Sequence, residues 1–206
     1  MRIADDDVLW SAPAAERPGR PLLIVLHGHG MTERIGFDLR HRLPAEVVVA
    51  SLRGPLRVRS GYGWFSLDPS SFALSQVDAA VAAVLSWLDR QSEYRSVGVL
   101  GFSQGSAVAV QCLRSRPTAF AYAVVLSGFL NPLPSDGDAE LATRRLPVLS
   151  ARGDADGLVP PLLVTLTDAW LADHTLLTRK RYPGLGHDVN GDEVADVVAF
   201  VDQHIA

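Results

Sequence analysis

The sequence predicts an α/β fold with a mostly parallel central sheet and helices on both faces. Apolar runs of strand length alternate with runs in which apolar residues recur at helical spacing. The first run, PLLIVLHG at 21–28, is almost continuously apolar, as expected of a strand covered on both faces. With 206 residues the chain is long enough to bury a sizeable core, and we expect a single domain over residues 1–206.

The predicted strands are short apolar segments separated by polar or glycine-containing stretches. EVVVAS at 46–51 is again continuously apolar, whereas LLTRKRYPG at 176–184 alternates in the manner of a more exposed strand. The full set of predicted strands is 21–28, 46–51, 97–100, 121–128, 146–153 and 176–184.

Helical spacing marks the segments between these strands. Apolar residues recur every three or four positions in 71–90, and Pro160 and Pro161 favour the start of a helix that runs to about Asp173. The predicted helices are 71–90, 104–114, 160–173 and 191–205. Strands that alternate with helices form βαβ units, and ligands of such sheets bind at the carboxyl ends of the strands.

Composition excludes several classes of function. Hydrophobic residues make up 48% and charged residues 20%, and the net charge of −4 offers no basic surface for nucleic acid. No apolar run is long enough for stable membrane insertion, and the acidic start MRIADDDVLW lacks the apolar core of a signal peptide. Cys112 is the only cysteine and is expected to be a small buried apolar residue, so we expect a reducing, cytoplasmic location.

A serine between two glycines follows the predicted strand 97–100. In Gly101-Phe102-Ser103-Gln104-Gly105 the glycines stand two residues before and two after the serine. A strand that turns abruptly into a helix crowds its neighbours at those two offsets, and it holds the central serine in a strained conformation with its hydroxyl exposed. Ser103 is therefore the candidate nucleophile.

A serine nucleophile needs a base, for which histidine is the candidate. Where the serine stands at a strand-to-helix turn, the histidine follows it along the chain. His187 lies in the loop YPGLGHDVNG, after a predicted strand and before the last helix, where a base can reach back over the strand ends. His174 and His204 lie late in predicted helices and are interpreted as helix C-terminal cations.

The base in turn needs a carboxylate that fixes its tautomer. RGDADGLVP offers Asp154 and Asp156 between a strand and a predicted helix, and spacing alone does not choose between them. Asp188 is set aside because a residue adjacent to His187 rarely has the geometry to orient its ring.

Two backbone N–H groups are the candidates for binding the negative charge that develops on the substrate oxygen. One is the N–H of Gln104, directly after the nucleophile, and the other is that of His29 in LHGHG, where Gly28 and Gly30 let the backbone bend. The alternative, His27 and His29 as metal ligands, supplies only two ligands and is disfavoured. We expect no metal and no cofactor.

Five motifs, LHGHG, GFSQGS, LSGFL, GDADGLVP and GLGH, occur in the order and approximate spacing of one family. The chain resembles, from about residue 20 to its end, the carboxylesterase, phospholipase and acyl-protein thioesterase family of α/β-hydrolases. The resemblance implies the α/β-hydrolase fold. The family pattern G-x-x-D-x-x-V-P implies Asp156 as the acid and leaves Asp154 as a supporting residue.

The resemblance also concerns the cleft. It places Trp64 and Phe65 in a loop that borders the acyl-binding cleft; core packing is the alternative interpretation. Ser106 stands where the family often has a second glycine after the elbow. The family tends to carry an aspartate soon after the first glycine-rich loop, and Glu33 and Asp38 give no clean match, so no role is carried onto either.

These features together predict a serine hydrolase of carboxylic esters with short to medium acyl chains. Too few residues lie between Phe129 and Pro147 for a large cap domain, so Trp64, Phe65 and Leu158 are expected to supply apolar surface to an open cleft. The substrate is expected to be a small-molecule or acylated ester. Alternatives are thioester or lysophospholipid hydrolysis, transfer to an acceptor other than water, and a catalytically silent binding protein. The sequence does not indicate the oligomeric state.

Overall fold

The structure is a computed structural model that describes residues 1–59, 61–67, 74–91 and 93–205. Its strands are β1 (Val8–Trp10), β2 (Leu22–Leu26), β3 (Val48–Leu52), β4 (Leu56–Val58), β5 (Gly61–Gly63), β6 (Val97–Phe102), β7 (Tyr122–Leu126), β8 (Pro147–Gly153) and β9 (Leu176–Tyr182). Its helices are α1 (Leu74–Leu88), α2 (Gln104–Ser115), α3 (Asp138–Arg144), α4 (Pro161–His174) and α5 (Gly191–His204).

Seven of these strands form one central sheet in the order β1-β3-β2-β6-β7-β8-β9. Every neighbouring pair is parallel except β1 with β3, which is antiparallel. Strands β4 and β5 form a separate antiparallel hairpin. The predicted fold class, a mostly parallel sheet with flanking helices, is confirmed.

The sheet is covered on both faces, which explains why its central strands are continuously apolar. Leu22, Ile24 and Leu26 of β2 belong to an apolar cluster with residues of α1 and α2, whereas Leu23 and Val25 belong to a second cluster with residues of α5. Alternate residues of one strand thus enter the two cores. No helix among the described residues is long and apolar enough to cross a bilayer.

Strand β9 is an edge strand whose outer residues are charged. Lys180, the only lysine of the chain, lies 3.1 Å from an oxygen of Asp196 on α5. Arg179 and Arg181 both pair with Asp168 on α4. The prediction of a more exposed strand at this place is confirmed.

Sequence patterning located the main elements and missed the small ones. All six predicted strands and four predicted helices are present with somewhat different ends, and the start of the first predicted helix, 71–73, lies outside the described residues. Strand β1, the β4–β5 hairpin and helix α3 were not predicted. Each strand has only three residues and the helix has seven, so none presents a full period of apolar positions.

Helix α3 depends on a buried arginine of α2. Arg114 donates through Nε and Nη2 to the two carboxylate oxygens of Asp138, at 2.7 and 2.8 Å. It also donates to the carbonyls of Asn131 and Leu133. One side chain therefore ties α3 and the segment before it to α2, the helix that follows Ser103.

We expect Arg114→Met to lower the free energy of unfolding by about 3–5 kcal/mol, because it leaves Asp138 and two carbonyls without their donor. Arg116→Gln is the matched control: Arg116 pairs with Asp89, but its side chain is 38% exposed against 1% for Arg114. The control should cost less than about 1 kcal/mol. Denaturant unfolding of both variants measures the difference, and equal losses would contradict this account of α3.

Candidate active site

Ser103, Asp156 and His187 meet at the carboxyl edge of the sheet. His187 Nε2 lies 2.8 Å from Ser103 Oγ, and His187 Nδ1 lies 2.9 Å from Asp156 Oδ2. Ser103 follows β6, Asp156 follows β8 and His187 follows β9. Three residues separated by 84 and 31 positions along the chain are thus joined by hydrogen bonds in the order serine, histidine and aspartate, as expected of a candidate nucleophile, base and acid.

The turn at Ser103 has the strained backbone that the two flanking glycines predict. Ser103 adopts φ 53° and ψ −117°, in the left-handed region that non-glycine residues rarely occupy. A Cβ on Gly105 would lie 2.1 Å from the carbonyl oxygen of Leu26 in β2, and one on Gly101 would lie 2.4 Å from the carbonyl oxygen of Gly105. Only glycine allows this approach of the helix to the strand.

Ser106, the departure from the family glycine, has a definite role. Its Oγ lies 2.5 Å from the carbonyl oxygen of Gly101 and 2.9 Å from that of Leu126. The buried hydroxyl can donate to either oxygen, so the serine at this position links the first turn of α2 to the ends of β6 and β7.

Asp156 is the candidate acid that contacts His187, and Asp154 supports the loop that carries His187. Asp154 Oδ1 accepts a hydrogen bond of 2.7 Å from the N–H of Gly184, in the segment between β9 and His187. The side chain of Asp156 is only 1% exposed, and its Oδ1 accepts from the N–H of Leu158. The structure thereby separates two carboxylates that spacing alone could not.

The Asp156 carboxyl stays ionised despite its burial. Desolvation opposes the charge, but hydrogen bonds from His187 and the Leu158 N–H, together with the charges of His187 and Arg152, outweigh it and lower the pKa of Asp156 below its ordinary value. An ionised carboxylate at Nδ1 favours the ring tautomer that presents a bare Nε2 to the serine hydroxyl.

The two backbone N–H groups considered for an oxyanion hole lie at the same edge. Gln104 is the first residue of α2, so its N–H has no acceptor within the helix. His29 lines the cleft with Ser103, and the flanking amides of Gly30 and Met31 donate to the carbonyls of Tyr62 and Gly28. Within the described part of the chain, no acceptor is bonded to the His29 amide.

The loop that contains His29 is fixed by an ion pair between a buried glutamate and a partly exposed arginine. Arg53 donates from Nε and Nη2 to the two carboxylate oxygens of Glu33, at 2.8 and 2.6 Å. These hydrogen bonds lower the pKa of Glu33 against the effect of burial. Glu33, to which the sequence assigned no role, therefore anchors the loop after β2 to the residue that follows β3.

Trp64 and Phe65 lie in the core and not in the cleft, with side chains 0% and 1% exposed. Trp64 N–H donates to Gln104 Oε1, Gln104 Nε2 donates to the Phe65 carbonyl, and Trp64 Nε1 donates to the His27 carbonyl. The resemblance implied that both residues border the acyl-binding cleft, and this expectation is wrong. The alternative interpretation, core packing, describes both residues. Their polar contacts hold the nucleophile turn from the side.

His27 is likewise structural. Its Nδ1 lies 2.7 Å from the carbonyl oxygen of Gly28, to which it donates, and its Nε2 accepts from the N–H of Gly54. Burial lowers the pKa of His27, which keeps the ring neutral. Among the described residues no group of three or more His, Cys, Asp or Glu side chains is placed to hold a metal ion.

The other histidines and the cysteine flagged in the sequence lie away from the cleft. His174 and His204 are the last residues of α4 and α5, and each ring contacts the carbonyl four residues earlier. Cys112 is a free, buried residue of α2. The predicted helix-end positions of the two histidines and the predicted burial of Cys112 are confirmed.

The cleft beside Ser103 has a volume of about 660 Å³ and a mostly apolar lining. Leu158 lines it and is 75% exposed, so the apolar surface expected of this residue is present. The remaining apolar lining includes side chains that the sequence analysis did not single out: Met31, Leu67, Phe102, Phe129, Val159 and Leu163. They come from a strand, a helix and several loops that are distant in sequence, and no local pattern marks them as a set.

Two buried charged residues near Asp156 were also missed. Arg152 is the penultimate residue of β8, and its Nη2 lies 3.5 Å from Asp156 Oδ2. Glu193, in the first turn of α5, is 0% exposed, and neither of its carboxylate oxygens has a hydrogen-bond partner. Desolvation and the charge of Asp188 raise the pKa of Glu193 to about 7, although Arg152 opposes the shift.

Fold and site together are of the α/β-hydrolase class. The chain belongs to the phospholipase/carboxylesterase family, whose model matches residues 12–205. It is similar to a probable carboxylesterase of Oryza sativa subsp. japonica, with 25% identity over 93% of this chain and 80% of that protein. It is also 26% identical to acyl-protein thioesterase 1 of Saccharomyces cerevisiae, over 92% of this chain and 95% of the other.

A solved structure supports the fold. Acyl-protein thioesterase 2 of Zea mays superimposes with a TM-score of 0.77 at 22% identity, covering 97% of this chain and 99% of that one. The resemblance noted in the sequence is confirmed, and family membership supports a hydrolase that acts on esters or thioesters.

We expect Gly105→Ala to abolish esterase activity and to destabilise the fold, because the added methyl meets backbone atoms of β2 that cannot move independently. Gly191→Ala is the control, since a Cβ there meets nothing within 4 Å. Thermal unfolding and ester hydrolysis of both variants measure the effect. Wild-type behaviour of Gly105→Ala would contradict the close approach of α2 to β2.

Glu193 makes stability depend on pH. Its pKa of about 7 in the folded state exceeds the ordinary 4.5, so the unfolded chain loses the proton first and the free energy of unfolding falls as pH rises from about 4.5 to 7. Relative to wild type, we expect Glu193→Gln to gain about 1–3 kcal/mol more at pH 8 than at pH 5. Denaturant unfolding at both values measures this, with the exposed neighbour Asp192→Asn as a control that should show no such pH dependence.

Proposed function

We propose that this chain is a serine hydrolase that cleaves carboxylic esters with short to medium acyl chains through an acyl-enzyme. The observation that carries the proposal is the continuous hydrogen-bonded series from Ser103 Oγ through the His187 ring to the Asp156 carboxylate. No cofactor and no metal takes part in the proposed reaction.

In the first half of the proposed reaction, His187 Nε2 accepts the hydroxyl proton as Ser103 Oγ attacks the ester carbonyl. Asp156 stabilises the imidazolium that forms, and the N–H groups of His29 and Gln104 donate to the oxygen that becomes negative. The C–O bond to the alcohol then breaks, the alcohol takes the proton from His187, and the acyl group remains on Ser103.

In the second half, water repeats the sequence. His187 accepts a proton from the water as its oxygen attacks the acyl carbon, and returns that proton to Ser103 Oγ as the acid is released. The strained backbone of Ser103 supports this assignment, because the sharp turn exposes the hydroxyl at the end of the sheet, in the cleft that His29 also lines.

The open, apolar cleft supports an ester substrate with an apolar acyl group. Leu158, Leu163 and Phe129 line one cavity with Ser103, so a small-molecule ester or a larger acylated molecule can enter from solvent. Hydrolysis of an acyl thioester or a lysophospholipid is the second candidate, since the same attack on the carbonyl serves each and a similar protein is named an acyl-protein thioesterase. A cytoplasmic location is part of the proposal.

Hydrolysis of p-nitrophenyl esters of increasing acyl length tests the proposal, with wild type and Ser103→Ala in parallel. We expect wild-type turnover and a loss of about 10³-fold or more in the variant, because the residual rate comes only from binding and the oxyanion donors. Ser115→Ala, at the exposed end of α2, is the matched control and should retain wild-type activity.

The outcomes separate the candidate functions. Equal activity of wild type and Ser103→Ala would overturn the assignment of the nucleophile, and inactivity of both on every chain length would favour a catalytically silent binding protein. S-acyl thioesters with the same acyl groups, measured beside the oxygen esters, distinguish an esterase from a thioesterase. The chain-length optimum reports the reach of the cleft.

A further inference from the structure

Arg152 is a buried cation that lies beside Asp156. Its Nη2 donates to the carbonyl oxygen of Gly128, at 3.1 Å, and lies 3.5 Å from Asp156 Oδ2. Its side chain is 7% exposed. A buried guanidinium is retained only where charges or hydrogen bonds compensate its desolvation, and desolvation here lowers the pKa of Arg152.

The charged surroundings of Arg152 come from three further elements. Glu193 lies at the start of α5, Asp168 on α4 and Arg181 on the neighbouring strand β9. The two acids favour the charged form of Arg152, as Asp156 does, whereas Arg181 opposes it. Asp168 is already paired with Arg181 and Arg179. The carboxylate of Glu193 has no hydrogen-bond partner, so the charge of Arg152 is what favours its ionised form.

We propose that Arg152 is a positioning residue for the proposed reaction: it keeps the Asp156 carboxylate ionised and in place behind His187. When buried Glu193 is ionised, its negative charge weakens the attraction between Arg152 and Asp156. This inference rests on the proposed function. It adds to the nucleophile, base and acid two further charged groups, Arg152 beside Asp156 and Glu193 buried in the first turn of α5.

The proposal fixes the direction of two opposite effects. Arg152 offsets part of the negative field that Asp156 exerts on the imidazolium, so its removal stabilises the protonated ring. At a pH where Glu193 is ionised, it draws on the charge of Arg152 and adds its own negative field, so Glu193→Gln destabilises the protonated ring there. Asp188 and Asp196, the other acids that act on Glu193, are the same in both variants.

The variants are Arg152→Gln, Arg152→Lys and Glu193→Gln, with Arg179→Gln on the exposed edge strand as the control. For each, kcat/KM for a p-nitrophenyl ester is measured from pH 5 to 9. The titration midpoint of the His187 ring is followed separately by NMR in the Ser103→Ala background, where its signal is identified by its loss in His187→Gln. The NMR measurement needs no turnover, so it decides the proposal even if no ester is hydrolysed.

We expect Arg152→Gln to lower the maximal kcat/KM about tenfold, and to move both the acidic limb and the NMR midpoint upward by about half to one pH unit. Glu193→Gln should move both downward. Arg152→Lys, which keeps the charge, should lie close to wild type, and Arg179→Gln should match wild type.

Unchanged midpoints in Arg152→Gln, or shifts of the same direction in Arg152→Gln and Glu193→Gln, would overturn the proposal, since loss of packing has no reason to produce opposite signs. If Arg152→Gln does not fold, as judged by circular dichroism, the downward shift in Glu193→Gln decides the matter. Loss of ester turnover in wild type with intact opposite NMR shifts would reject the proposed function and leave the role of Arg152 standing.

Discussion

The contact on which this site depends is the approach of the first turn of α2 to the end of β2, where Gly105 leaves no room for a Cβ beside the Leu26 carbonyl. This approach turns the chain sharply after β6 and forces Ser103 to positive φ. It also points the first amides of α2 at the cleft. A single steric constraint therefore places the candidate nucleophile and one of the candidate oxyanion donors together, before any side chain contributes.

Polar bonds then hold each loop that contributes to the cleft. The Gln104 side chain holds the backbone at Trp64 and Phe65, the Glu33–Arg53 pair fixes the loop after β2, and Asp154 holds Gly184 beside the histidine loop. Each bond joins segments that are distant in sequence. Their combined effect is preorganisation: the donors and the base are set before a substrate arrives, which is where much of the rate advantage of such sites originates.

The sequence could predict those parts of this arrangement that have local causes. The periodicity of apolar residues located the strands, and the spacing of glycines located the turn at Ser103 and the loop of His187. These features could be predicted because burial and steric crowding shape the sequence over a few neighbouring residues. Asp156 could be preferred to Asp154 only through the family pattern, since the choice depends on which carboxylate faces a ring 31 positions away. Trp64, Arg152 and Glu193 were misplaced or missed for the same reason: their burial arises from packing between distant segments, which no short pattern records.

The charged edge strand β9 has a practical consequence for following catalysis. Activated esters acylate exposed amines without any help from a protein, and most proteins carry many lysines that react in this way. Here the only amines are the N-terminal group and the side chain of Lys180, which lies beside Asp196. The mass spectrum of the intact chain mixed with an activated ester should therefore have almost no background of stray adducts, and an added acyl mass that Ser103→Ala lacks would report the covalent intermediate of the proposed reaction directly.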